Sequence, residues 1–159
     1  MTKEYNNIQN SVISALSLYT FTKEYFESKS RMEGPILPLI MPILPIVLNK
    51  ESARDLSNNQ RRYSSFFNSL SDNRFIPVGL QERMVGMAEQ TFKALNVAFS
   101  TKLLTYDKNN SQFIPISKTS VPRLNNKSNL EILKASKLLG FWFANLSIED
   151  VLISLNITF

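Results

Sequence analysis

Apolar side chains recur along this chain in a helical rhythm for most of its length and in an alternating one over a single short window. Ile8, Val12, Ala15, Leu16 and Tyr19 follow i, i+4, i+7, i+8, i+11 spacing, which predicts a helix over about residues 8–27. Ser28 to Glu33 is a polar connection into "GPILPLIMPILPIVLNK" (34–50). Between Pro35 and Leu48 this run has no charged or hydrogen-bonding side chain, and prolines stand at 35, 38, 42 and 45. Pro35 suits a first helical turn, whereas Pro42 and Pro45 would each cost an unbroken helix about 3 kcal/mol. A kinked buried helix over 35–48, or two short pieces, is therefore expected, with Leu39, Ile43 and Val47 in the core.

Lys50 to Leu56 reads as a short helical turn. Tyr63, Phe66, Phe67 and Leu70 then give i, i+3, i+4, i+7 spacing for a helix over about 60–70. "LSDNRFIP" is a boundary, because Asp72 and Asn73 favour turns and Pro77 disfavours helix before it. Leu80, Met84, Met87, Thr91, Leu95 and Ala98/Phe99 predict one long helix over about 78–103, with Glu82, Arg83, Glu89, Lys93 and Lys102 as a mixed polar face. The period changes at "LLTYDKNNSQFIPIS", a hairpin over about 103–116 turning at Asp107 to Ser111. Pro115 belongs on an edge. A loop from Lys118 to Asn129 leads to a helix over about 130–145. Ser147 caps a last helix, 148–155, with Asp150 at its third position. The expected fold is mainly α with a small β-hairpin, a single winged-helix-like domain over 1–159. The helix-then-hairpin order argues topology and leaves function open.

Composition narrows the function. The 159 residues are enough for one domain with a sizeable core. Cysteine and histidine are absent, which excludes disulfides, thiol chemistry, Cys/His zinc sites and imidazole acid–base catalysis. Eighteen basic and 13 acidic residues give a net charge of +5, compatible with an anionic partner yet short of the density typical of nucleic-acid binders. The apolar run 35–48 is shorter than the roughly 20 residues of a membrane span, and its prolines remove donors that lipid cannot replace. Its two P-x-x-P motifs, Pro35 to Pro38 and Pro42 to Pro45, are too apolar for exposed polyproline ligands. No apolar signal segment opens the chain, so sequons such as Asn126-Lys127-Ser128 read as chance matches and the expected location is cytoplasmic.

Several fragments, in order, resemble one family. "GPILPLIMPILPIVLNKESARDL" is similar to the apolar-then-"LPLVLHK" signature of the middle component of three-component ABC systems. "VGLQERMVGMAEQTFKAL" resembles its "VGFPERA…TREAL" helix, "LLTYDKNNSQFIPI" its "GLLEL…" hairpin, and "KASKLLGFWFANLSIEDVLISLNI" its "KAEFVGRWFA…IYTLLGV" ending. The likeness covers about Asn10 to Ile157. Asn49 stands where the family has a histidine, and Phe141 where an arginine often precedes the tryptophan. The resemblance implies a non-enzymatic accessory subunit of an SMC-like ABC ATPase complex, as in Lamassu-type anti-phage and anti-plasmid defence. Such a subunit docks on the ATPase and helps hold or release an effector, often a nuclease.

Candidate chemistry is sparse. The adjacent carboxylates Glu149 and Asp150 do not face each other on a helix and are better used in capping. No catalytic, cofactor or metal residues are assigned. Arg61, Arg62, Lys118, Arg123 and Lys127, with Arg74 nearby in sequence, are candidate phosphate contacts on DNA reached indirectly through the complex. The alternative is a stand-alone winged-helix DNA-binding protein, against which the mixed charge of the long helix counts. In "GFWF" (140–143), three consecutive aromatics spread over about 200° of a helix, more than a single apolar stripe of about 100°. Trp142 and Phe143 match the family's Trp-Phe pair and are expected in the core. Phe141 is expected near the surface, where with Lys134 and Lys137 it forms a candidate partner interface.

Overall fold

The first helical stripe extends beyond its pattern. In the computed structural model, which describes residues 2–58, 63–74, 76–116 and 123–159, with side chains except at 2–9 and 63–65, α1 spans Thr2–Ser28. Ala15, Leu16, Leu18, Tyr19, Phe21 and Tyr25 are all buried, and so are Ser14, Ser17 and Thr22 between them. A helix buried on nearly every side needs its polar groups satisfied locally. Ser17 Oγ does so by donating to the Ile13 carbonyl at 2.7 Å, whereas Thr22 Oγ1 has no partner among the described residues. Around α1 pack α8, α7, α3 and β2.

The proline run forms two short helices, α2 (Leu37–Ile40) and α3 (Ile43–Val47). Pro42 is the N-cap residue of α3 and Pro45 lies in its first turn. Amides there have no intrahelical acceptor, so the missing N–H groups cost nothing. Leu39, Ile40, Ile43, Leu44, Ile46 and Val47 are completely buried. Asn49 then caps α4 (Lys50–Ser57), its side-chain oxygen accepting from Ser52 N at 3.0 Å. This helix is longer than the turn expected, and it packs Ala53 and Leu56 on the α8 side.

α5 spans Tyr63–Asp72. The long helix expected over 78–103 is instead two, α6 (Leu80–Gly86) and α7 (Ala88–Ser100), joined at Met87 with φ −104° and ψ 6°. Gly86, a weak helix former, stands at the joint. Hydrogen bonds from Met87 N to Arg83 O (2.9 Å) and from Thr91 N to Met87 O (3.0 Å) still bridge it. Past Ser100 the chain turns through Lys102 at φ 59° into the hairpin.

β1 (Leu104–Asp107) and β2 (Gln112–Pro115) pair antiparallel with Leu104 opposite Pro115 and Asp107 opposite Gln112. Asp107 organises the turn. Its carboxylate accepts from the Asn110 amide at 2.8 Å and from Asn109 N at 3.0 Å, which holds the carboxyl below its ordinary range. The other edge of β2 receives the start of the proline run. Phe113 N donates to Pro35 O at 2.9 Å, and Gly34 N donates to Gln112 Oε1 at 3.0 Å. Gly34 sits so close to the Phe113 carbonyl that no side chain fits there.

α8 (Lys127–Asn145) begins three residues before the expected start, because Asn126 caps it by accepting from Ser128 N and Asn129 N. It lies against α1 and α4. α9 (Ile148–Leu155) has the expected bounds, with Ser147 Oγ accepting from Asp150 N at 3.0 Å. Beyond it Ile157 is buried, and Thr158 and the Gln81 amide exchange two hydrogen bonds of 3.0 and 3.1 Å. The fold is mainly helical with one small antiparallel hairpin. Its α7–β1–β2 order is consistent with a helix followed by a wing.

Candidate functional site

Surface residues, rather than a buried reaction centre, are what the described structure offers. Arg123 and Lys127 precede and open α8, and Lys127, Lys134 and Lys137 are all exposed along its first half, with Glu131 half-buried among them. Leu130 on the same stretch is 41% exposed. These cations share one uncovered part of the helix. Arg61, Arg62 and Lys118 lie outside the described residues, so the larger basic surface is not assembled here. Arg74 is exposed, but it shares a cleft of about 490 Å³ with Glu51, Asp55 and Asp72. Asn73 Nδ2 donates to Asp55 Oδ2 there at 2.9 Å. Three carboxylates beside one guanidinium oppose a phosphate.

Lys137 also lines a cleft of about 190 Å³ between α1 and α8, together with Tyr19, Thr20, Lys23, Glu24 and Glu27. Two lysines and two glutamates leave it without a dominant sign. Burial, with a smaller contribution from the Glu27 charge, pushes the Tyr19 hydroxyl above its ordinary range.

Phe141 differs from expectation. It is half-buried and packs against the core, so it is not a free aromatic beside Lys134 and Lys137. From Leu138 to Ala144 every other residue of α8 is buried. Phe141 is thus the least buried of the three aromatics, as the single-stripe expectation has it, but it is covered more than expected because this half of the helix has neighbours on more than one side. Trp142 and Phe143 are each 1% exposed. Phe66 lies 5.3 Å from the Trp142 ring and 6.0 Å from Phe143, which meets Phe21 edge-on at 5.6 Å.

The α7 surface carries charges of both signs. Its Glu89 and Lys93 pair with each other at 3.0 Å, both well exposed. At the α9 N-terminus, the backbone of Asp150 is engaged by the Ser147 cap. Among the described residues there is no group of three or more carboxylates placed to hold a metal, and no helix long and apolar enough to cross a membrane.

A family model described as ABC-three component (ABC-3C) system Middle Component 3 matches residues 1–159. The chain belongs to this family. No curated protein and no solved structure matches it. The family's two departures noted in the sequence have structural counterparts in this Middle Component 3 chain. Asn49 in the histidine position is a helix cap, and Phe141 in the arginine position is wedged at the core margin. A surface missed from sequence is the outer side of α6 and α7 with the turn before them, where Val78, in the turn, and Val85 and Phe92, on the helices, are 66%, 68% and 46% exposed. Their seven-residue spacing is visible in the sequence, beside the stronger inward stripe of the same segment.

Proposed function

We propose that this middle component is a non-enzymatic bridging subunit of a bacterial, Lamassu-like defence complex. It docks on an SMC-like ABC ATPase and helps hold or release an effector such as a nuclease, in the cytoplasm. The family match over the whole of 1–159 carries this reading. The chemistry of the chain supports it: without histidine or cysteine, proton transfer and nucleophilic attack lose their commonest side chains. DNA is met indirectly, with Arg123, Lys127 and the neighbouring α8 lysines free to add phosphate contacts to DNA that the ATPase holds. A stand-alone DNA binder would place its cations on α7, where Lys93 is paired with Glu89.

The test is co-purification of the tagged chain with the products of its adjacent genes at roughly 0.15 and 0.5 M salt, where phosphate contacts weaken steeply and an apolar interface does not. The ATPase is expected to elute with the chain at both. Loss of the ATPase at both salts refutes the bridging role. The isolated chain is expected to hydrolyse neither ATP nor DNA, and activity that follows it through orthogonal columns would overturn that part.

A further inference from the structure

We infer that the outer face of α6–α7 is a docking seam for a partner helix that carries apolar side chains every seventh residue and lysine or arginine between them. The inference rests on the bridging reading for the identity of the complex, and on the residues of the seam for everything else. Val78, Glu82, Val85, Glu89, Phe92 and Asn96 are separated by 4, 3, 4, 3 and 4 residues. All six are exposed. Leu80, Met84, Thr91, Leu95 and Ala98, on the opposite side of the same segment, are buried in the core. One side is thus accounted for by the fold, and from Glu82 to Asn96 the other repeats, across the hydrogen-bonded joint at Met87, with the 3.5-residue period of a helix that pairs with another helix.

Isolated exposed apolar residues are ordinary. Here Val85 on α6 and Phe92 on α7 fall seven residues apart, and Val78, seven before Val85, lies in the turn ahead of α6, before left-handed Gly79. The two positions between them are both glutamate, in a protein of net charge +5. The cations nearby do not neutralise the track. Arg83 points inward, donating from its guanidinium to the Ile76 carbonyl at 2.9 Å. Lys93 pairs with Glu89 from the flank, on an ion pair too exposed to contribute much.

Charge selects the occupant. A second copy of this chain laid antiparallel on the seam would bring glutamate against glutamate, whereas lysine or arginine between apolar residues would complement it. Gly86 adds an independent observation. It lines the cleft between α1 and α7 with Asn10, Ser11, Glu89, Gln90 and Lys93. A Cβ placed on it would meet nothing within 4 Å, so the fold of the isolated chain does not require glycine there. The open side of this glycine leaves room for a partner backbone to pass close to Val85.

The experiment uses the intact system in cells, with a photo-crosslinking amino acid at Val85 and, as control, at Tyr106 on the hairpin. An adduct from Val85 is expected to map to a helix of another subunit with the stated pattern of apolar and basic positions. The E82K/E89K pair, and separately Val85→Ser, are expected to weaken co-purification at least about tenfold without moving the melting curve. If the ATPase co-purifies with the parent while Val85 gives no adduct and both variants bind as the parent does, the seam is refuted and bridging stands. An adduct to a second copy of the chain also refutes the seam. If the ATPase does not co-purify but the Val85 adduct maps to such a helix in another subunit, the seam stands and the bridging reading fails.

Discussion

A methyl group at position 140 has almost nowhere to go. A Cβ built on Gly140 would sit 2.5 Å from the Phe21 carbonyl oxygen and 3.0 Å from Glu24 Cβ, so α8 crosses α1 at backbone distance. Gly140→Ala is expected to destabilise the protein by about 1–3 kcal/mol, as overpacking does, read as a lower denaturant midpoint with unchanged slope. Ile43, completely buried in α3, gives the opposite failure. Ile43→Asp places an unpaired carboxylate in the core at a cost of several kcal/mol, and loss of cooperative unfolding is expected. Retention of the parental midpoint would contradict the placement. The two buried tyrosines set an alkaline limit. Burial raises Tyr19 and Tyr25 above the ordinary value of 10.0, with Glu27 and Glu33 adding smaller effects. The unfolded chain therefore releases these protons first, so their stabilisation is present below pH about 10 and is lost as pH rises beyond it. Denaturation midpoints measured from neutral pH upward should fall past that point, and less steeply in Tyr19→Phe.

Helix boundaries show what sequence periodicity can and cannot resolve. The proline run was legible because its prolines and lack of polar groups allow only buried, interrupted helix, and α2 and α3 are that. The break between α6 and α7 was not legible. Met84, Met87 and Thr91 keep helical spacing through it, and a single glycine is too weak a signal against so regular a stripe. Phe141 stands at the margin of the core, partly covered, for a related reason: periodicity shows that a helix has an inner face, and only packing shows how many. The basic candidates divide between exposed Arg123, Lys127, Lys134 and Lys137, which the structure supports as surface, and Arg74, which it surrounds with acid. Two substitutions test the elements themselves. Asn49→Ala removes the acceptor that caps α4 and should cost about 1 kcal/mol. Gly86→Ala has room for its Cβ and should raise stability by about 0.5–1 kcal/mol, seen as a higher melting temperature; a lower one would mean that the joint at Met87 needs the glycine.

At the scale of the molecule, one set of buried residues runs from Ala15 to Ile157 and joins every helix from α1 onward to the hairpin. Its centre is the pairing of α1 with α8, helices separated by the whole middle of the sequence. That arrangement has a consequence during translation. When α1 and the proline run have left the ribosome, the start of the helix that will cover Phe21 and Tyr25 is still 77 residues, Lys50 to Lys127, from emerging, roughly 4–15 s at bacterial elongation rates. Throughout that interval the apolar faces of α1 and the proline run lack the cover that α8 supplies. A nascent chain stalled before Asn126 is expected to be digested by protease at low dose and to recruit chaperone, while one stalled far enough beyond Phe159 to clear the exit tunnel resists digestion. Resistance appearing already in the shorter chain would mean that the N-terminal helices close a core without α8.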